Sequence, residues 1–193
     1  MTPNSATSRQ GRTPPPTSPT VTVALGIPSS EVWLVPYDPA WPALFESEAA
    51  RIRQACGHLV RAVIHVGSTA VPGLAAKPII DLMVGVDRFE DAAAVVTALE
   101  GLGYRNLGEF GVSGRVFLRY NEPCTHHVQL TEIGSAFWED ELLFRDILRR
   151  EAETAAQYEA LKTRLAAAHP HDRPGYTAAK TDFITEVLAT ARA

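Results

Sequence analysis

A carboxylate stands in the middle of an apolar run, Ile79-Ile80-Asp81-Leu82-Met83-Val84, shortly after a loop of small residues, Gly67-Ser68-Thr69-Ala70-Val71-Pro72-Gly73. Backbone N–H groups in such a loop can approach an anion closely, because little side chain stands in the way. A strand covered on both faces reads as continuous aliphatic residues. Asp81 is therefore costly there unless it meets a metal, a base, a pocket of water, or loop amides that make it a structural latch. Further on, Thr125, His127 and Gln129 alternate with His126, Val128 and Leu130, and only the first set is polar enough to meet Asp81. At His127 an imidazole can bind a borderline metal, act as a base, hydrogen-bond a substrate, or be a core histidine satisfied by a carbonyl.

Cations occupy faces that should be apolar. At about 100° per residue, Lys180 falls inside the arc of Tyr176, Phe183, Ile184 and Val187, and Lys162 falls between Tyr158 and Leu165 on one side and Ala166 on the other. Arg145 lies between the stripe of Phe137, Phe144 and Leu148 and the patch of Trp138 and Leu142, while Arg115, Phe117 and Arg119 share one side of a strand. Two readings stand. Either these heads snorkel to water at the helix rims, or they converge with Lys77, beside the loop, on a polyphosphate or another multiply charged anion. Asp81 alone cannot balance so many buried bases.

The elements that must position these residues follow from patterning. At 193 residues the chain suits one compact domain. Residues 1–30, with the cluster Thr13-Pro14-Pro15-Pro16-Thr17-Ser18, read as a disordered leader, and residues 31–193 as a single folded domain. A helix is expected from near Pro42 to just before Gly57, then strands at Ala62–Val66 and Pro78–Val86, a helix from about Phe89 to Leu102, and two strands around Gly114–Tyr120 and Thr125–Ile133. Three helices close the chain, at Ser135–Arg150, Glu153–Ala168 and Pro174–Ala191. The fold class is mixed α/β (α+β): a mixed sheet flanked by helices, with a C-terminal layer of three helices.

Composition excludes several classes. No apolar run is long enough to span a bilayer and the first residues lack a signal peptide, so a soluble cytoplasmic protein with no membrane partner is expected. Cys56 and Cys124 have no metal-ligand spacing and read as reduced, packed thiols. A net charge of −4 and the lack of an aromatic and basic stripe argue against a nucleic-acid partner. The loop lacks the Lys-Ser or Lys-Thr ending of a P-loop.

A Gly-Ser pair after one strand, followed by Pro78-Ile79-Ile80-Asp81 on the next, is similar to the signature of the nucleotidyltransferase fold of DNA polymerase beta type. More closely, VPYDPAWP, HVGSTAVPGLAAKPIID, HHVQL, LLFRDILR, YEALK and YTAAKTDFI together resemble the GrpB family, a branch of that superfamily, from about Val32 to Ile184. Some members are fused to the kinase that finishes coenzyme A, which implies a nucleotide-related role and a functional link to coenzyme A synthesis. The resemblance implies that Gly67, Ser68 and Thr69 hold phosphate oxygens. Asp81 would carry a magnesium contact, and Lys77, Arg115, Arg119, Gln129, Arg145, Lys162 and Lys180 would surround the phosphates. Active members of the superfamily use a second acid two residues after the first; here that position is Met83, a poor ligand for Mg2+, so the two-metal arrangement cannot form unchanged. The expected function is transfer of a nucleotidyl group from a nucleoside triphosphate to a small acceptor, or its activation, with His127 as base. The alternative is an inactive nucleotide or phosphometabolite sensor.

Overall fold

A computed structural model describes residues 24–193. Helix α1 (Trp41–Cys56) begins with Pro42 in its first turn and ends at Gly57, whose φ of 55° stops it. Its inward residues Trp41, Phe45, Ala49, Ile52 and Cys56 recur at helical spacing and are buried. Five strands follow with α2 (Ala92–Gly101) between the second and third: β1 (Ala62–Val66), β2 (Ile80–Val86), β3 (Tyr104–Asn106), β4 (Arg115–Tyr120) and β5 (His126–Glu132). They form one mixed sheet in the order β1-β2-β5-β4-β3, in which only the β2–β5 pair is parallel.

Alternation along each strand splits the sheet into two chemically different faces. Ile80, Leu82, Val84 and Val86 of β2 join Val128, Leu130, Leu118 and Tyr104 under α1 and α2 in the main core. Burying each such aliphatic side chain contributes about 1.5–3 kcal/mol. The opposite face carries Asp81, His127, Gln129, Arg115 and Arg119. It is covered by α3 (Ala136–Arg150), whose Trp138 packs on Val66 and Met83. Helices α4 (Ala152–Ala168), α5 (Arg173–Ala178) and α6 (Thr181–Arg192) follow, and Tyr158 of α4 and Phe183 and Ile184 of α6 pack with Leu148 of α3 and with Val71 and Leu74. Ser135 caps α3 by accepting from the Trp138 N–H at 3.2 Å.

Three expectations need correction. The third C-terminal helix is two: the N–H of Lys180 bonds Thr177 O at 3.3 Å, which tightens the turn before α6 restarts. Strand β3, too short to show a period, is additional. The leader boundary at residue 30 is too late, because Ile27 is fully buried with Ile79 and Cys124, exchanges backbone hydrogen bonds with Cys124, and follows Gly26, which donates to Pro78 O. Residues 1–23, the rest of that leader, lie outside the described residues.

Glu48 is an acid inside the main core. Its Oε1 accepts from the Tyr104 hydroxyl at 2.8 Å and its Oε2 from Arg51 at 2.6 Å. Removing one partner of a buried charge leaves part of its desolvation uncompensated. Tyr104→Phe is therefore expected to lower stability by about 1–3 kcal/mol, read as a fall in the urea midpoint with an unchanged slope.

Candidate functional site

The sheet register assembles the site. Val66 of β1 and His127 of β5 both face Asp81 of β2, and Arg119 of β4 faces His127. Register partners in a parallel pair share a face, and here Asp81 Oδ1 accepts from His127 Nδ1 at 2.9 Å. Gly67, directly after β1, has a φ of 70°, and a Cβ there would lie 2.6 Å from Asp81 Oδ2. A side chain at this position would thus collide with the carboxylate.

Burial pushes the Asp81 carboxyl up, but the His127 hydrogen bond and the neighbouring positive charges outweigh it and hold it below its usual range. Burial holds the His127 imidazole below its usual value despite Asp81. At neutral pH the pair therefore carries one negative charge, on the carboxylate. With Nδ1–H given to Asp81, the lone pair of His127 is on Nε2, an atom that is buried and has no hydrogen-bond partner.

The groups facing this pair are mostly cationic. Lys77 and Lys180 sit over the same Tyr176 ring, 5.3 and 4.7 Å from its centroid. Burial, with Lys180, Arg173 and Arg119 nearby, brings the Lys77 amine down to about 7. Burial also lowers Lys180, against the pull of Asp81 and Glu141. Arg115 and Arg119 lie 5.1 and 5.5 Å from the Phe117 ring centroid, beside His127. Arg173 donates through Nη2 to Pro28 O and Glu31 O. Among the described residues, five of the six buried side-chain nitrogens without a partner belong to Arg115, Arg119, His127 and Arg173. Glu141 of α3 is pushed up to about 7 by burial and by Asp81. Five bases, Lys77, Arg115, Arg119, Arg173 and Lys180, thus gather around Asp81 and Glu141, with Glu122 a further acid acting on Arg173.

The structure brings Gly67, Ser68, Lys77, Arg115, Arg119, Gln129 and Lys180 to this face, and engages Gln129 and three other expected residues in contacts within the protein. Thr69 is 1% exposed and its hydroxyl pairs with His65 Nε2 at 3.0 Å. Gln129 accepts from Arg115 Nη1 at 3.1 Å and so fixes the guanidinium. Lys162 lies beneath the Gly67–Ser68 turn, bonded to Ser68 Oγ at 3.0 Å and to Ala75 O. Arg145 sits on the open edge of β1, where it donates to His65 O at 3.1 Å as Arg53 does to Val63 O. Unpaired carbonyls of an edge strand are thereby satisfied. Sequence reasoning missed Arg173, Glu141, Tyr158 and Tyr176 as members of the site. Arg173 opens a short helix and carries no periodic signal.

A resident Mg2+ does not fit this donor set. Asp81 gives one oxygen to His127, the other lies against Gly67, and lysines and arginines surround it. Met83, in the second acid's place, is buried under Trp138. Among the described residues no group of three or more His, Cys, Asp or Glu side chains could hold a metal ion. Hard cations need several oxygen ligands.

A family model described as GrpB protein matches residues 31–190. The UPF0157 protein YqkA of Bacillus subtilis is 36% identical over 166 residues, which cover 86% of this chain and 48% of YqkA, so the chain spans about half of that relative. A dephospho-CoA kinase of Mycolicibacterium paratuberculosis is 42% identical over 84 residues, 42% of this chain and 21% of the kinase. Among solved structures, the conserved protein GrpB from Enterococcus faecalis superposes with a TM-score of 0.75 at 38% identity, covering 82% of this chain and 96% of that one. Matched in sequence and in fold over most of its length, the chain belongs to the GrpB protein family.

Proposed function

We propose that the site binds a nucleoside triphosphate or a similar polyphosphate and transfers a nucleotidyl group to, or activates, a small acceptor. One observation carries this reading: His127 Nε2 is buried, without a partner and held in its tautomer by Asp81, within a ring of cations. Lys77, Lys180, Arg119 and Arg173 hold the phosphates, Arg for forked contacts and Lys as point charges. Arg115 neutralises charge from beside Phe117. The Gly67–Ser68 turn receives a phosphate against its backbone, and His127 takes a proton from the acceptor while Asp81 stabilises the imidazolium. The resemblance of this turn and Asp81 to the nucleotidyltransferase signature supports the donor class, and the partial likeness to dephospho-CoA kinase supports a link to coenzyme A chemistry. Among the described residues no helix is long and apolar enough to cross a membrane; with two buried free thiols, we place the protein in the cytoplasm.

The packing of Met83 under Trp138 favours a second reading, a sensor that binds the polyphosphate without turnover. Both readings share the anion site, which thermal melting with ATP, coenzyme A precursors and tripolyphosphate tests. A ligand at about 100 times its Kd stabilises by about 2.7 kcal/mol. The shift is expected to persist in EDTA and to shrink in Lys77→Met. Because the Lys77 amine titrates at about 7 and an anion favours its charged form, the shift should also shrink as pH rises from about 6 to about 8.5. A melting temperature indifferent to all these anions overturns both readings. Release of pyrophosphate with wild type but not with His127→Gln separates the transferase from the sensor.

A further inference from the structure

Beneath the Gly67–Ser68 turn lies a second reactive group that the dyad does not use. Lys162 of α4 is 1% exposed, yet it makes no ion pair with any described residue. Glu159, the nearest acid on its helix, gives Oε2 to the Ala75 N–H at 2.8 Å. An ammonium buried without a carboxylate is costly, whereas the neutral amine suits this place. Lys162 Nζ donates to Ala75 O and stands 3.0 Å from Ser68 Oγ, so in the neutral amine the lone pair is within reach of the Ser68 hydroxyl proton. Burial and the charge of Lys180 bring it down to about 7, in agreement with that form. Tyr158, one turn earlier, places its ring 4.9 Å from Nζ and also interacts with Ser68 through its side chain. Ser68 is itself only half-buried, and its neighbour Gly67 touches Asp81. Through Gly67 the hydroxyl and its amine are thereby placed beside the Asp81–His127 pair.

We propose that Ser68 is a nucleophile of this site and that Lys162 is the base that takes its proton. The identity of its electrophile rests on the polyphosphate reading. Ser68 Oγ attacks a phosphorus of the bound chain; the Oγ–P bond forms as the bond from that phosphorus to the departing phosphate oxygen breaks, its electron pair leaving with that oxygen. The hydroxyl proton passes to Lys162 Nζ, and Lys77 and Lys180 balance the charge of the departing group. In the second half, the acceptor gives its proton to His127 and attacks the same phosphorus. Ser68 leaves with the electron pair of the broken P–O bond and recovers its proton from Lys162.

An alkyl fluorophosphonate tests the nucleophile without requiring the polyphosphate site, since attack by Ser68 expels fluoride. Intact-mass analysis of the full chain is expected to show one adduct, mapped to Ser68 and absent from Ser68→Ala. Labelling should slow about tenfold or more in Lys162→Met and in Lys162→Arg, because neither side chain can accept the proton. With wild type alone, the labelling rate should rise with pH through about 7, as Lys162 loses its proton. An unlabelled wild type, a label on another residue, equal rates in the Lys162 variants, or a rate flat across that range would each overturn the proposal. If labelling occurs while no anion raises the melting temperature, the polyphosphate reading fails and Ser68 stands; the reverse result removes Ser68 and leaves the anion site.

Discussion

Gly67→Ala is expected to lower the unfolding free energy by about 2–5 kcal/mol and to abolish stabilisation by anions. Two effects add at this position. A φ of 70° strains any residue with a Cβ, and the new methyl would lie 2.6 Å from Asp81 Oδ2 and 3.1 Å from Asp81 Cβ and Cγ. Either the turn lifts off β2 or the carboxylate rotates away, and rotation breaks its bond to His127. Gly73→Ala separates the two effects, because Gly73 has a φ of 81° but a methyl added there would meet nothing within 4 Å. It should lose only the conformational part, about 1–2 kcal/mol, and keep its response to ligand. Urea titrations of both variants with and without tripolyphosphate make the comparison. Equal losses would show that Gly67 serves the backbone alone.

That contact also shows where sequence reasoning reaches and where it stops. Asp81 was legible because a lone carboxylate breaks an otherwise aliphatic strand, and His127 because alternation along β5 sorts its polar residues to one side. That the two bond directly depends on the register of β2 against β5, a long-range property that neither strand contains. Helical periodicity turned Lys162 inward, as found, yet could not say that Ser68 and Ala75, far off in the chain, would meet it. For Arg145 the same arithmetic suggested a phosphate ligand; β1 proves to be an edge strand, and the free carbonyl of His65 takes the guanidinium. Residues 24–30 are held by Pro78, Cys124 and Arg173, contacts invisible in a locally weak apolar patch.

Asp81→Asn is expected to destabilise the protein by about 2–4 kcal/mol at neutral pH, toward the lower part of the range for breaking a buried ion pair, since this side chain is partly open to water. The amide can keep a bond to His127 but carries no charge, so Lys77 and Lys180 lose the acid that acts on them most strongly, and Arg173 loses one of its counter-charges. The sign with pH follows from the lowered Asp81 value. A group whose pKa is depressed in the folded state contributes stability that is present above its unfolded value, about 3.9, and lost as pH falls through the folded one. Wild type and variant should therefore converge in acid and diverge toward neutrality. If the loss is one of charge balance, it should shrink in the double variant Asp81→Asn/Lys77→Met, which removes a base together with the acid, giving a coupling well above about 0.5 kcal/mol. Tripolyphosphate should likewise restore more stability to Asp81→Asn than it adds to wild type, because it supplies the missing negative charge. Strict additivity of the two substitutions, with no greater rescue by the anion, would mean that Asp81 acts only through its bond to His127 and that the surrounding bases are balanced by other groups.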